Sequence, residues 1–312
     1  MIRVGFVLLS HTDPDQLLNF TDVLTELYDA PPIVCHHDFS QAPLEKRLFP
    51  SNVRFVERHL PTFWGGFSII PAALAALRLL MSGPNPPDWF YLLSGSDYPT
   101  MASERAISVL ASTNYEAFID HREISYRNDA KDGSDGPPTG FARPSYKTLA
   151  YKRYCAVAVP RPSLAMPFAF PPVGRSYLRN PAWRSIFTAP FGPAFRCFAG
   201  EHWFTANARA ADVLLAQTDR SLQLARHLSS RECPEECYYH SILANAPLKL
   251  HNNNLRYISW PTPDAWHPKT LDVTDLPAIE NREAHFARKI AYRSELMNEL
   301  NRKLGVGLHV RS

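Results

Sequence analysis

Short apolar runs of strand length alternate along the chain with longer stretches whose apolar residues recur at helical spacing. VGFVLLS (4–10) is the first run and predicts a strand. In HTDPDQLLNFTDVLTELY (11–28), Leu17, Leu18, Phe20, Val23 and Leu24 follow the helical period. Thr12 or Asp13 stands at the cap and Pro14 in the first turn. PPIVCHHD (31–38) and VRFVERHL (53–60) predict two further strands, and TFWGGFSIIPAALAALRLLMSG (62–83) a glycine turn leading into an apolar helix. WFYLLSGSD (89–97) is an apolar run that breaks into small residues and one carboxylate, the mark of a buried strand meeting a turn. This alternation predicts an α/β fold with a largely parallel sheet.

The pattern continues with a helix over ASERAISVLAS (102–112), capped by Ser103, and a strand over YEAFIDHRE (115–123). NDAKDGSDGPPTGF (128–141) reads as an exposed loop. Residues 145–198 are rich in Pro, Arg, Tyr and Phe, with a strand candidate at YCAVAVP (154–160). AGEHWFTANARAADVLLAQ (199–217) leads into a helix. CPEECYYHSILANAP (233–247) is a helix opened by Pro234 with two acids in its first turn, and LRYISW (255–260) is a strand. IENREAHFARKIAYRSELMNELNRKL (279–304) reads as a long amphipathic helix.

Composition adds exclusions. The 312 residues are 45% hydrophobic and 20% charged, so a sizeable core is available and wholesale disorder is excluded. A net charge of +3 argues against a dedicated nucleic-acid binder. The 28 prolines point to long ordered loops. Five cysteines at irregular spacing predict reduced thiols in a cytoplasmic protein, with Cys233 and Cys237 the one close pair. No stretch reaches the ~20 apolar residues that span a bilayer, and the N-terminus lacks a signal-peptide cleavage site.

Candidate chemistry gathers at strand ends. His11, His36, His37 and Asp38 follow the first two strands and Asp97 a later one; parallel strands bring such ends to one sheet edge, where ligands bind. Taken singly, each His is an ordinary loop residue, and Asp97 hydrogen-bonds its own turn. Gly65–Ser68 opens a helix as a phosphate contact or simply as close packing. Glu235 and Glu236 either stabilise a helix dipole in solvent or offer a general base. Arg288 and Lys289 either form a solvated face or neutralise a diphosphate. Trp203, Trp260 and Trp266 are core residues or platforms for a sugar ring.

Several of these stretches together resemble the core-2/I-branching β-1,6-N-acetylglucosaminyltransferases, grouped with the peptide O-xylosyltransferases. YLLSGSDYPT, WGGFS, the G-x-x-W of GEHWF, PEE at 234–236, LRYISW and HFARK occur in that family's order, over residues 4–290, with 125–195 matching poorly. The resemblance implies a GT-A-type fold with a Rossmann-like, mostly parallel central sheet and flanking helices. It also implies a UDP-sugar donor, inverting transfer to a glycan or other hydroxyl acceptor, and basic side chains rather than a metal on the diphosphate. It makes Glu236 the catalytic base and assigns Asp38, Asp97 and Lys289 to the donor, with Asp38 on the nucleoside and Lys289 on the diphosphate; His11 and Arg288, the latter at a position where family members vary, are read as donor residues beside them. Arg256 is a candidate second cation. Glu201, Trp203 and Trp260 fall on the acceptor side. The chain then reads as one glycosyltransferase domain, 1–312: a nucleotide-binding half (1–125), a variable proline-rich acceptor-side region (126–200) and a half bearing the base and the diphosphate cations (201–312). Missing the membrane anchor and disulfide framework of eukaryotic members, it reads as a bacterial, cytoplasmic relative. A non-catalytic nucleotide- or sugar-binding module and a glycoside hydrolase are the alternatives.

Overall fold

The strand β1 (Val4–Ser10) buries both its faces: Val7 points into one apolar layer, and Val4, Phe6 and Leu8 into the other. A strand covered on both sides must be apolar throughout, which is why it reads as a continuous run. The computed structural model describes residues 2–125, 149–155, 157–160, 175–178, 190–262, 265 and 267–307. The predicted loop 128–141, Trp266 and much of the proline-rich stretch lie outside the described residues.

The strands are β1, β2 (Ile33–His37), β3 (Val53–Phe55), β4 (Trp89–Ser94), β5 (Asp97–Pro99), β6 (Ala117–Phe118), β7 (Arg122–Glu123), β8 (Val157–Pro160), β9 (Arg175–Leu178), β10 (Phe198–Ala199), β11 (Thr205–Asn207), β12 (Leu250–His251), β13 (Arg256–Ile258) and β14 (Phe286–Arg288). The helices are α1 (Pro14–Leu27), α2 (Ile69–Met81), α3 (Ser103–Ser112), α4 (Ala208–Leu215), α5 (Asp219–Leu228), α6 (Glu235–Ala244), α7 (Leu276–Asn281) and α8 (Glu295–Leu304). A single π-helical turn covers Tyr151–Cys155.

Among the described residues, seven strands form the central sheet in the order β12-β6-β11-β4-β1-β2-β3. β11 pairs antiparallel with both β4 and β6, and every other pairing in the sheet is parallel. One apolar layer packs α2, α4, α5 and α6 onto one face; the other packs α1, α8 and the small sheet β13-β14-β5 onto the opposite face. The α/β class and the mostly parallel sheet predicted from the pattern are those observed.

Three expectations need correction. The tail is no continuous helix. α7 ends at Asn281, Phe286–Arg288 pairs with β5 and β13 as a strand, and α8 starts afresh where the Ser294 side chain accepts from Met297 N. Phe286 and Ala287 are buried in that small sheet, so tertiary pairing overrides the helical period. YEAFIDHRE divides into two two-residue strands. Ser103 is the first helical residue of α3 rather than its cap, a position taken by Ala102. The sequence reading assigns no element to α5, although Leu224 and Leu228, one helical turn apart, are its buried apolar residues.

Candidate active site

The C-terminal ends of β1, β2 and β4 open onto one cavity of about 540 Å³. Ser10 and His11 line it after β1, His36 and Gln41 at and beyond β2, and Ser94, Gly95 and Ser96 after β4. The parallel register fixes this convergence: Ser10 lies beside His37, and Leu9 beside both His36 and Ser94.

Both aspartates of these strand ends stand behind the wall, off the cavity itself. Asp38 is fully buried. One carboxylate oxygen accepts from Ser40 N (3.0 Å) and Ser40 Oγ (2.6 Å). The other accepts from Gln41 Nε2 (2.8 Å), Thr62 N (2.6 Å) and Thr62 Oγ1 (3.1 Å). Burial pushes this carboxyl up, and the donated hydrogen bonds outweigh it and hold it well below the usual range. Five donors fill the acceptor capacity of one carboxylate. Asp38 therefore reaches the cavity through Gln41 and Thr62, which line it, and not by direct contact. Asp97 likewise closes its own turn, accepting from Ser94 N (2.7 Å) and Ser94 Oγ. It also faces Arg288 across the β5–β14 pair, 4.0 Å from Nε.

That pairing explains why a strand, and not a helix, carries the basic pair. β14 delivers Arg288 and Lys289 to the cavity wall, and Ile290 N donates to Ser96 O (3.0 Å) of the β4 turn. The Arg288 guanidinium lies 4.6 Å from the Trp203 ring centroid. Burial and the neighbouring Arg288 charge push the Lys289 ammonium below its ordinary value. Arg256, by contrast, is buried between Tyr91 and Phe286 and donates to Thr205 Oγ1 and to the carbonyls of Asn254, Leu92 and Phe204. It ties β13 to the central sheet and does not line the cavity, which corrects its assignment as a second diphosphate cation.

The opposite wall is built by the residues around β11 and α6. Gly200 N donates to Glu236 O (2.9 Å), locking GEHW against PEE. A Cβ at Gly200 would lie 1.9 Å from Asp120 O, so no other residue fits this approach. Glu201, His202, Trp203, Glu235, Glu236 and Trp260 all line the cavity. Glu236 is ion-paired with Arg153 (3.5 Å from Nη1) and lies 3.5 Å from the Tyr154 hydroxyl; its side chain keeps 22% exposure. Glu235, one residue away, is 7% exposed. Burial first, and the Glu236 charge second, push its carboxyl up to about 8. Glu201 is pushed well above the carboxylate range by burial, against the pull of Arg288 and with the push of Glu236. Burial, with Arg288 beside it, holds His202 well below its ordinary value, as neutral imidazole.

Of the nine residues assigned to the site from sequence, seven line this one cavity: His11, Glu201, Trp203, Glu236, Trp260, Arg288 and Lys289. Asp38 and Asp97 support its wall. Sequence reasoning missed Arg153, Gln41, Thr62 and His202. Arg153 and Thr62 carry no local signal, because their partners Glu236 and Asp38 are distant in the chain, whereas Gln41 lies three residues from Asp38 and His202 stacks on Trp203. Exposed Phe63 and Trp64 stand at the mouth, Trp64 edge-on to His267. Cys237 lies against Cys197 (3.8 Å between sulfurs) and not against Cys233; all five thiols are free. Among the described residues, no three His, Cys, Asp or Glu side chains are grouped to hold a metal ion, and no helix is long and apolar enough to cross a membrane.

Residues 36–133 and 179–284 match the family model of the core-2/I-branching enzymes. The chain belongs to that family. It is 25% identical over 259 residues to the beta-glucuronosyltransferase GlcAT14A of Arabidopsis thaliana, covering 81% of this chain and 51% of that protein. Xylosyltransferase 1 of Homo sapiens is 25% identical over 218 residues, covering 67% of this chain and 18% of that protein. The chain thus spans about half the length of the first of these relatives and less than a fifth of the second. Family membership and the seven-stranded, mostly parallel sheet agree with the GT-A-like glycosyltransferase fold expected from the sequence.

Proposed function

We propose that this cavity transfers a sugar, xylose-like or N-acetylglucosamine, from a UDP-sugar to an acceptor hydroxyl in one inverting displacement. The carrying observation is that Glu236 and the Arg288–Lys289 pair, from distant parts of the chain, line the same cavity. The relatives named as xylosyl- and glucuronosyltransferases support glycosyl transfer as the reaction class.

Glu236, charged opposite Arg153, accepts the proton of the acceptor hydroxyl as its oxygen attacks the anomeric carbon. The bond from that carbon to the UDP oxygen breaks on the opposite face, and UDP leaves with the electron pair. Lys289 and Arg288 meet the negative charge that grows on the diphosphate. This assignment needs no metal ion. The proton passes from Glu236 to solvent when product departs. Glu235 is the poorer base, because at neutral pH it already holds a proton. A positioned base contributes about 10²–10⁴-fold, and alignment of the two substrates supplies much of the rest.

The hydrolase alternative has one feature in its favour, a Glu235 carboxyl pushed up to about 8 by burial beside Glu236 in its ion pair with Arg153. Inverting hydrolases hold their two carboxyls about 6.5–9.5 Å apart across a bond, whereas successive helical residues diverge by about 100° on one wall. Calorimetry with UDP followed by turnover of UDP-xylose and UDP-GlcNAc, with and without excess chelator, tests the reading. Binding of UDP with slow donor hydrolysis, undiminished by chelator, is the expected result. UDP binding without turnover of any donor indicates a binding module, and activity restored only by manganese overturns the metal-free assignment.

A further inference from the structure

Three buried polar atoms on this wall have no hydrogen-bond partner within the protein: Glu235 Oε2, Glu201 Oε1 and His202 Nε2. Their residues are 7%, 6% and 8% exposed, and all three line the cavity. A buried polar atom left unpaired is costly, and native structures keep few of them. Three on one cavity wall indicate that the partners come from what binds there. Gly200 N, the Glu201 carbonyl and the Tyr154 hydroxyl beside them have partners, and the other orphaned atoms of α6, Tyr239 Oη and His240 Nδ1, belong to residues that do not line the cavity.

The mechanism leaves Glu235 unused. Tyr239 on the same helix, Cys233 in the turn before it, Arg153 from the π-helical turn and the neighbouring Glu236 are the titratable groups that act on it. Arg153 is engaged with Glu236 and lies 3.9 Å from Glu232, so no cation is dedicated to Glu235. A carboxyl so placed is stable as the uncharged acid, which has one hydroxyl proton to donate.

We propose that Glu235, as the uncharged acid, donates a hydrogen bond to a hydroxyl of the donor's sugar ring and restricts the site to neutral sugars, rejecting hexuronates. This rests on the transferase reading above. A ring hydroxyl both accepts and donates, so it can also serve Glu201 and His202. A sugar carboxylate on this wall would meet the Glu236 charge, which already acts on both Glu235 and Glu201, and would share with the diphosphate the cation, Arg288, whose charge reaches Glu201 and His202. The group's value of about 8 adds a signature: the hydrogen bond exists below that pH and is lost above it.

The test measures binding of UDP, UDP-xylose, UDP-GlcNAc and UDP-glucuronate by calorimetry at pH 6.5 and 9.5, for the parent protein, Glu235→Gln and Glu235→Ala. UDP affinity in each variant checks that the site is folded. In the parent at pH 6.5 one neutral UDP-sugar exceeds UDP by tenfold or more, and UDP-glucuronate does not. That excess falls several-fold by pH 9.5 in the parent, persists in Glu235→Gln and is missing from Glu235→Ala at both pH values. Titration of Lys289 is common to all three proteins and cancels in the comparison. Parent and Glu235→Gln sharing one pH profile, Glu235→Ala keeping the excess, or UDP-glucuronate binding tightest would each overturn the proposal while leaving transfer intact. Failure of UDP itself to bind removes the transferase reading and this inference with it.

Discussion

Asp38 behind one wall of the cavity and the two buried glutamates on the other treat their hydrogen-bonding capacity in opposite ways. On the strand-end wall, Asp38 accepts five hydrogen bonds, while Asp97 closes the Ser94 turn and faces Arg288 with one oxygen and keeps the other, Oδ1, without a partner. On the β11–α6 wall, Glu235 and Glu201 each keep a buried oxygen without a partner, and both are pushed above the carboxylate range. A saturated carboxylate is spent on holding backbone and neighbouring side chains in place. An unsaturated one has capacity left for a ligand or a proton. The contrast assigns roles to residues of one chemical type, and substitutions on each wall should produce different kinds of failure.

The largest effect is expected at Glu236. Glu236→Gln removes the proton acceptor and keeps the shape, so turnover should fall by about 10²–10⁴-fold with UDP affinity unchanged. Single-turnover kinetics beside calorimetry checks this, and full activity in that variant removes Glu236 from the mechanism. Next is Lys289→Ala, which leaves the leaving-group charge to Arg288 alone. Its kcat/KM should fall by about 10²-fold, with weakened UDP binding that added salt does not restore. A variant with normal UDP affinity and normal turnover would detach β14 from the diphosphate.

Glu235 offers a test of unsaturation by stability. Its carboxyl titrates near 8 in the folded chain and near 4.5 in the unfolded one, so between those values the folded state holds the extra proton. The parent therefore loses stability as pH rises from 4.5 to 8, by at most about 1.4 kcal/mol per pH unit, and no further above 8. Glu235→Gln lacks this loss. Its advantage in melting temperature over the parent should grow across that window and level off beyond it. An advantage that is constant from pH 5 to 9 would mean that Glu235 is ionised throughout.

Much of the frame was legible from sequence because burial writes itself into strands and helices covered on both sides. β1, β4, α1 and α2 appear as apolar runs or clear helical periods, and the convergence of their ends follows from parallel pairing. The family resemblance singled out Glu236 and Lys289, and both line the cavity. What remained hidden depends on partners far along the chain. HFARKI alternates well enough for either helix or strand, and only β5 and β13 decide for the strand. Two glutamates in a first helical turn look alike in sequence. Gly200, Arg153 and the core beneath α6 make one a buried acid and the other a paired anion. Asp38 looked like a ligand because the loop residue that saturates it, Thr62, comes from beyond β3.

Asp38 gives the smallest effect on chemistry and the clearest test of saturation. Asp38→Asn places an amide where only acceptors fit, turning one of the two oxygens into a donor against Ser40 or against Thr62 and Gln41. The expected cost is about 1–3 kcal/mol of stability, a fall of roughly 2–4 °C in Tm per kcal/mol at this size. UDP binding should weaken only a few-fold, through the displaced Gln41 and Thr62. The acid limb carries the sign. The folded carboxyl titrates below its unfolded value of about 3.9, so its contribution is present above that pH and is lost as pH falls below it. Acid unfolding of the parent should therefore steepen below pH 4, and Asp38→Asn should lack that component. A variant with unchanged Tm and abolished UDP binding would make Asp38 a direct ligand, and the contrast between saturated Asp38 and unsaturated Glu235 and Glu201 would not hold.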